Sequence, residues 1–452
     1  WSGVRIMSNN NHHFGGNTRG GRGRGGGGRG RGGNNGRGAA GDSNASGSFG
    51  PKARLRPCGH FVKGNCQNGN SCPYAHVVRL YARLDASGPL PADRNDGSTT
   101  HSNKHDHPHG NNSTNNKSSV VSAVSIWETQ GSIKIFTGSH DGYWRLWNTQ
   151  GATFSKEFEH NMGGGKVECI VVASNFLFCG FEAVSSSLPG NAQVGMIHAW
   201  NLVNPTLPPL EFHVHPQIPF AHASCVSHLA IHQGDVILSG DRYGVIRIWK
   251  YAEPGVFALQ TTILGHAREI TGIVVVNQKM VWSSSIDFSI RLWDFTTGES
   301  KYLITQNTVT NGIPSGHSSA VTGLLTFEMP GAGTFVLSSS LDGTIKAWNG
   351  ANGDCVASED HQAGVVSMAI SQDLANNPIL LIGLESGHIM VRNLMQTSKA
   401  PAFSLIFTLM PQFTTGHYGA VKTITEGPAN TFYTGGEDGK LLVLQITGDL
   451  GI

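Results

Sequence analysis

The chain has 452 residues, of which 60 are glycine and 38% are hydrophobic, and it carries a net charge of +2. The length suits about three average domains or one long repeat array, the glycine content excludes an evenly folded chain, and no apolar run approaches the roughly 18 residues of a membrane-spanning helix. The near-zero charge conceals an asymmetry, because residues 1–84 hold 13 Lys and Arg against the single acid Asp42, whereas residues 85–452 hold 19 against 29.

Residues 1–6 precede the first methionine, Met7, and read as a truncated or untranslated leader; the Asn, His and Gly that follow do not form a signal core. In residues 8–50, Arg19, Arg22, Arg24, Arg29, Arg31 and Arg37 are each followed by glycine, with no carboxylate before Asp42. Such an RGG tract buries too little apolar surface to offset backbone entropy, so residues 1–50 are expected to be a disordered basic arm. A basic arm on a mildly acidic body suits a polyanion, with nucleic acid the first candidate.

Residues 51–84 contain Cys58-x7-Cys66-x5-Cys72-x3-His76. Three thiolates and one imidazole complete a tetrahedral zinc shell with no position left for water, which makes the site structural rather than catalytic. A module this small cannot fold on a hydrophobic core alone, so zinc binding and folding are expected to be one event. His60 is an alternative ligand, but it breaks the spacing. Seven cysteines, three of them in this cluster, make no disulfide framework and point to a reducing, intracellular compartment, nuclear or cytoplasmic.

The spacing resembles that of the CCCH zinc-finger family. Its members bind single-stranded RNA by stacking bases on aromatic rings and by backbone hydrogen bonds to base edges, and Phe61 and Tyr74 stand at the matching positions. Lys63, Arg54 and Arg56 add positive charge beside them. The competing reading packs one ring over the zinc cluster and leaves the other for RNA.

Residues 85–118 return to linker composition; their histidines, His101 to His109, lack a cysteine partner and read as solvated linker. From residue 119 to 452 one pattern recurs: an apolar strand, a turn, a second strand ending in small residues, a tight turn, and a third strand. The third strands end at Trp147, Trp200, Trp249, Trp293 and Trp348, then at Arg392 and Leu444, which gives seven units.

The segments Ser283-Ser-Ser-Ile-Asp-Phe-Ser-Ile-Arg-Leu-Trp-Asp294 and Ser338-Ser-Ser-Leu-Asp-Gly-Thr-Ile-Lys-Ala-Trp348 resemble WD repeats. The resemblance implies an all-β fold, a seven-bladed WD-repeat β-propeller, whose blades are each tied by His, Ser or Thr, Asp and Trp. His266, Asp287 and Trp293 match in the fourth unit, and His317, Asp342 and Trp348 in the fifth. Elsewhere the first unit lacks the histidine, the second lacks the aspartate, and the third has Tyr243 where the aspartate belongs. The sixth and seventh keep His361 and His417 without a tryptophan.

Only six residues follow Ile446, too few for the last outer strand, and Val77–Leu84 is the strand-like segment left to supply it. Whether it closes the ring or only extends the finger stays open at this level. A finger followed by such a propeller resembles the CCCH zinc-finger WD-repeat proteins known especially from plants. No catalytic constellation stands out and no small-molecule substrate is expected, so the sequence reads as a non-enzyme. The favoured function is an RNA-binding adaptor whose propeller recruits protein partners. The alternative is a protein scaffold such as a ubiquitin-ligase substrate receptor.

Overall fold

The computed structural model describes residues 57–88 and 119–450, apart from short breaks at 69–70, 73, 130–131, 151–152, 186–187, 189, 191, 253–254, 311, 330, 397–401, 414 and 449. The arginines of the arm, Arg54, Arg56 and the linker histidines lie outside the described residues.

Small residues end the second strand of each unit because that strand is buried on every side. Ser283, Ser284 and Ser285, like Ser338, Ser339 and Ser340, have no exposed surface. The position equivalent to Ser284 is glycine in five other units, where the first-strand Val or Ile of the next unit lies against the backbone. A Cβ at Gly240 would come within 2.5 Å of the Ile270 side chain, and one at Gly435 within 2.6 Å of Val121. Neighbouring units therefore interlock through a bulky residue seated on an absent one.

Each unit is a four-stranded antiparallel sheet, and seven such sheets form the propeller. Their first strands are Val121–Thr129, Val167–Ala173, Val226–His232, Ile270–Val276, Val321–Met329, Val365–Gln372 and Val421–Glu426. Side-chain hydrogen bonds between first strands tie neighbouring blades together. Ser227 donates to the Ile270 carbonyl at 2.7 Å, Thr271 to Val321 at 2.7 Å, Thr322 to Val365 at 2.8 Å and Ser367 to Val421 at 2.6 Å. Thr425 donates to the Val124 carbonyl at 2.7 Å and completes the circle from blade 7 to blade 1.

Closure settles the open question about residues 77–84. Val78–Asp85 is the fourth strand of blade 7, paired antiparallel with Lys440–Ile446 from Val78↔Ile446 to Asp85↔Lys440. Its register slips at Tyr81, as the fourth strands of blades 1, 3, 4, 5 and 6 slip at Glu157, Gln260, Lys301, Val356 and Ile406. The segment thus reproduces the bulge common to these outer strands. Val78 and Leu80 pack with residues of blades 6 and 7, while Ala82, Leu84 and Ala86 pack with those of blades 1 and 7. Arg83 fixes the upper end through Asp438 at 2.9 Å and the Gly416 carbonyl at 3.2 Å.

Within blade 4 the buried polar groups form one relay. Trp293 donates its indole N–H to Ser283 Oγ at 2.8 Å, Ser283 lies 2.8 Å from His266 Nε2, and His266 Nδ1 lies 3.0 Å from Asp287. Tryptophan can only donate and carboxylate can only accept, so a neutral histidine protonated at Nδ1 satisfies the series. Blade 5 repeats it with Trp348, Ser338, His317 and Asp342.

Blade 3 is also complete, contrary to the gap inferred at Tyr243. Asp241, two residues earlier, turns inward to His222 Nδ1 at 3.0 Å, while Tyr243 stays exposed. Blade 7 retains His417, Thr434 and Asp438, with Leu444 in the tryptophan position. In blade 1, which lacks the histidine, Asp141 pairs with Arg145 at 2.6 Å and accepts the Gly88 N–H at 2.5 Å, which pins the end of the closing segment. Blade 6 loses the series as a unit, and both ring nitrogens of His361 are buried without a hydrogen-bond partner.

These networks fix the sign of the acid response. Burial pushes His361 down to about 4 and holds His222 and His317 below the ordinary histidine value. Burial opposes the charged Asp287 and Asp342, but hydrogen bonds from His266 and Ser289, and from His317 and Thr344, outweigh it and keep both carboxyls well below their usual range. Unfolded histidines take up protons below pH about 6.5 and unfolded aspartates below about 3.9, before their folded counterparts do. Stability is therefore expected to fall as pH drops from 6.5 toward 4, and again below about 4. Urea midpoints read by tryptophan fluorescence at pH 7.5, 5.5 and 4 test this, and His361→Asn should flatten the upper part of the decline.

Candidate metal centre and nucleic-acid surface

The finger begins with Cys58, which caps the single helical turn Gly59–Val62 by accepting the Phe61 N–H at 3.4 Å. The chain returns at Ala75, whose carbonyl accepts the Cys58 N–H at 2.8 Å. This backbone hydrogen bond brings the ends of the motif together. The ligand atoms of Cys58, Cys66, Cys72 and His76 all lie within 4.8 Å of one another. The Cys58 and Cys72 sulfurs are 3.5 Å apart, close to the tetrahedron edge of about 3.8 Å implied by zinc–sulfur bonds of about 2.3 Å.

Two further observations fit a zinc ion. His76 Nε2 is buried and has no hydrogen-bond partner, as expected of a nitrogen whose lone pair is reserved for a metal. Burial raises the cost of a thiolate at Cys58, but the Phe61 amide and the neighbouring thiols outweigh it and set this thiol below its ordinary value. Cys58, Cys66, Cys72 and His76 hold one zinc ion. Its role is to cross-link a segment with almost no interior of its own. His60 stands outside the ligand group and is exposed.

The other four cysteines are also free thiols. Cys169, Cys179 and Cys225 are buried in blades 2 and 3, where burial pushes their thiols up and leaves them inert at neutral pH. Among the described residues no other group of three or more potential ligands converges.

The aromatics expected to meet RNA lie in different settings. Phe61 is half-buried and stacked on the ligand His76, with ring centroids 4.2 Å apart and planes within 7°. Tyr74 is 51% exposed, and Lys63 projects into solvent. Sequence spacing could not separate the two rings, since only the fold shows which one covers the imidazole. Spacing also missed Val62, which is 1% exposed and packs with Val78, Ile389, Val391 and Leu409 in the core shared by blades 6 and 7. The finger is thus packed on the propeller by an apolar residue as well as joined to it by the closing strand.

Comparison with known proteins supports both halves. Residues 54–78 match the family described as zinc finger C-x8-C-x5-C-x3-H type and similar, with a first gap one residue shorter than that description. Residues 309–349 match the WD domain, G-beta repeat family. The chain is 25% identical over 402 residues to zinc finger CCCH domain-containing protein 17 of Oryza sativa subsp. japonica, covering 88% of this chain and 74% of that protein. It is 22% identical over 252 residues to zinc finger CCCH domain-containing protein 59 of Arabidopsis thaliana, covering 55% of this chain and 43% of that one. The WD40 β-propeller domain of Doa1 has a similar fold, with a TM-score of 0.53 at 18% identity over 72% of this chain and 93% of the domain. The protein combines a CCCH zinc finger with a WD-repeat propeller.

Zinc analysis of the purified chain should give one ion per molecule, and Cys66→Ser should remove it. Because Val62 sits in the core between blades 6 and 7, chelation should also lower the thermal midpoint of the propeller. Calorimetry with and without chelator reads that coupling.

Proposed function

We propose that this protein is an RNA-binding adaptor. In this reading the finger contacts a short single-stranded RNA, the basic arm adds phosphate contacts, and the propeller recruits a protein partner. The observation that carries the reading is the exposure of Tyr74 on a metal-fixed scaffold that also exposes Lys63. An exposed ring on a module that also presents positive charge suits the stacking of unpaired bases. Phe61, stacked on His76, would act mainly by holding that ligand, with its remaining exposed edge open to a base.

One finger reaches only a few nucleotides, so affinity needs a second contribution. The arm supplies it through Arg19, Arg22, Arg24, Arg29, Arg31 and Arg37 at high effective concentration, with Arg54 and Arg56 between arm and finger. The propeller contributes a rigid body whose rim and faces are free for protein. Among the described residues no helix is long and apolar enough to cross a membrane.

Two variants separate these contributions. Tyr74→Ala is expected to weaken binding of a uridine-rich oligonucleotide by about 1–3 kcal/mol while leaving the salt dependence unchanged. Removal of residues 8–50 should weaken binding and flatten the dependence of log K on log salt. Equal flattening in both variants would sink this division of labour, and retention of bound RNA by Cys66→Ser at the wild-type level would sink the role of the finger.

A further inference from the structure

The closing strand carries an arginine that neither zinc binding nor ring closure requires, next to a tyrosine that packs partly against the core of blades 1 and 7. Arg79 lies three residues beyond the ligand His76 and is exposed, with its guanidinium 5.3 Å from the centroid of the Tyr81 ring. Tyr81 is held in place, since its hydroxyl donates to Gln445 Oε1 at 2.7 Å, and Gln445 Nε2 donates to the Ala429 carbonyl at 2.7 Å. Gln445 is also the residue paired with Arg79 across the strand. Tyr81 occupies the bulge position that holds Glu157, Gln260, Lys301, Val356 and Ile406 in other blades, so the blade geometry fixes its place and the aromatic ring is particular to this edge.

Charge distinguishes Arg79 from its neighbours. Arg83 on the same strand is bound to Asp438, and Lys440 across from it is bound to Asp85. Among the described residues Arg79 has no ion pair. It also borders the finger, since a Cβ at Gly64 would lie 3.3 Å from Arg79 Nη2. Gly64 follows Lys63 in sequence, and the Arg79 guanidinium and Tyr81 ring form a strip that borders this turn of the finger. The strip runs from the finger onto the outer edge of blade 7.

We propose that Arg79 and Tyr81 extend the RNA-binding surface of the finger onto the propeller, so that RNA leaving the finger crosses the closing strand. The Arg79 guanidinium takes a phosphate or stacks on a base, and the pinned Tyr81 ring backs it. The propeller edge then belongs to the RNA site, and the RNA covered is longer than a lone finger can hold. This rests on the reading of the finger as an RNA contact.

The test uses the full chain with fluorescein-labelled uridine oligonucleotides of about 4 and about 10 nucleotides, sizes spanning the footprints of small single-strand binders. Arg79→Ala should weaken binding of the longer RNA about tenfold and reduce its salt slope by about 0.7, the value for one phosphate contact on a single strand, with the shorter RNA scarcely affected. Arg79→Lys should restore the slope but only part of the affinity, because it keeps the charge and loses the plane. Zinc content and thermal midpoint should match wild type in both variants.

Equal weakening of both lengths would make Arg79 a support for the finger and overturn the proposal, as would unchanged binding of both. If Tyr74→Ala weakens both lengths while Arg79→Ala changes neither, this inference fails and the finger reading stands. If the wild-type chain binds neither length, both fail together.

Discussion

The pairing of Val78–Asp85 with Lys440–Ile446 is the constraint on which the rest of the structure depends. Without it, blade 7 would end on Lys440–Ile446 and present a row of unpaired backbone groups, a template for association with other chains. With it, every blade has its outer strand. The partners are far apart in sequence, 355 residues between Arg83 and Asp438, but loop-closure entropy grows only with the logarithm of loop length. The long closure is therefore thermodynamically tolerable, and its rewards are a full ladder of hydrogen bonds and burial of Val78, Leu80, Ala82 and Leu84 against blades on both sides. The same strand begins two residues after His76, so ring closure also fixes the finger.

Inside the blades, the buried relays obey an asymmetry: a complete set is stabilising, while a partial set leaves a buried group unsatisfied. Blades 3, 4 and 5 keep all four members. Blade 6 retains only His361, and its two orphaned nitrogens are tolerable because burial keeps the ring neutral. Blade 1 shows a third solution. Where the histidine is missing, Arg145 and the Gly88 amide take over Asp141, so the gap in the repeat becomes the place where the closing segment is tied down.

These details explain how far the sequence could be read. The four metal ligands were legible because their spacing matches the CCCH family, and the seven units because the second strand of each ends in small residues where the next blade packs. Asp241 was misread because alignment to Asp287 selects Tyr243, whereas the backbone turn lets an aspartate two residues earlier reach the same imidazole. The role of residues 77–84 could not be decided from pattern, since an apolar strand carries no record of a partner 360 or so residues away. Phe61 and Tyr74 looked equivalent for a related reason. Only three-dimensional packing reveals that one ring is stacked on His76 and the other is free.

Rigid attachment changes what a single finger can achieve. A zinc module on a flexible tether would lose rotational freedom each time it engaged RNA, and that loss would be charged against a few stacking contacts. Here Val62 in the blade 6 and 7 core and the hydrogen-bonded strand after His76 have already removed that freedom on folding. If the finger binds RNA as proposed, stacking on Tyr74 would then appear more fully as affinity. The proposed role of the basic arm rests on the opposite principle, since phosphate contacts need neither fixed geometry nor burial and weaken as salt rises. In the proposed reading, a contact fixed by stacking would set position, and a salt-sensitive one would contribute to capture. On that reading, the zinc ion would matter to function because it holds the finger in register with the propeller.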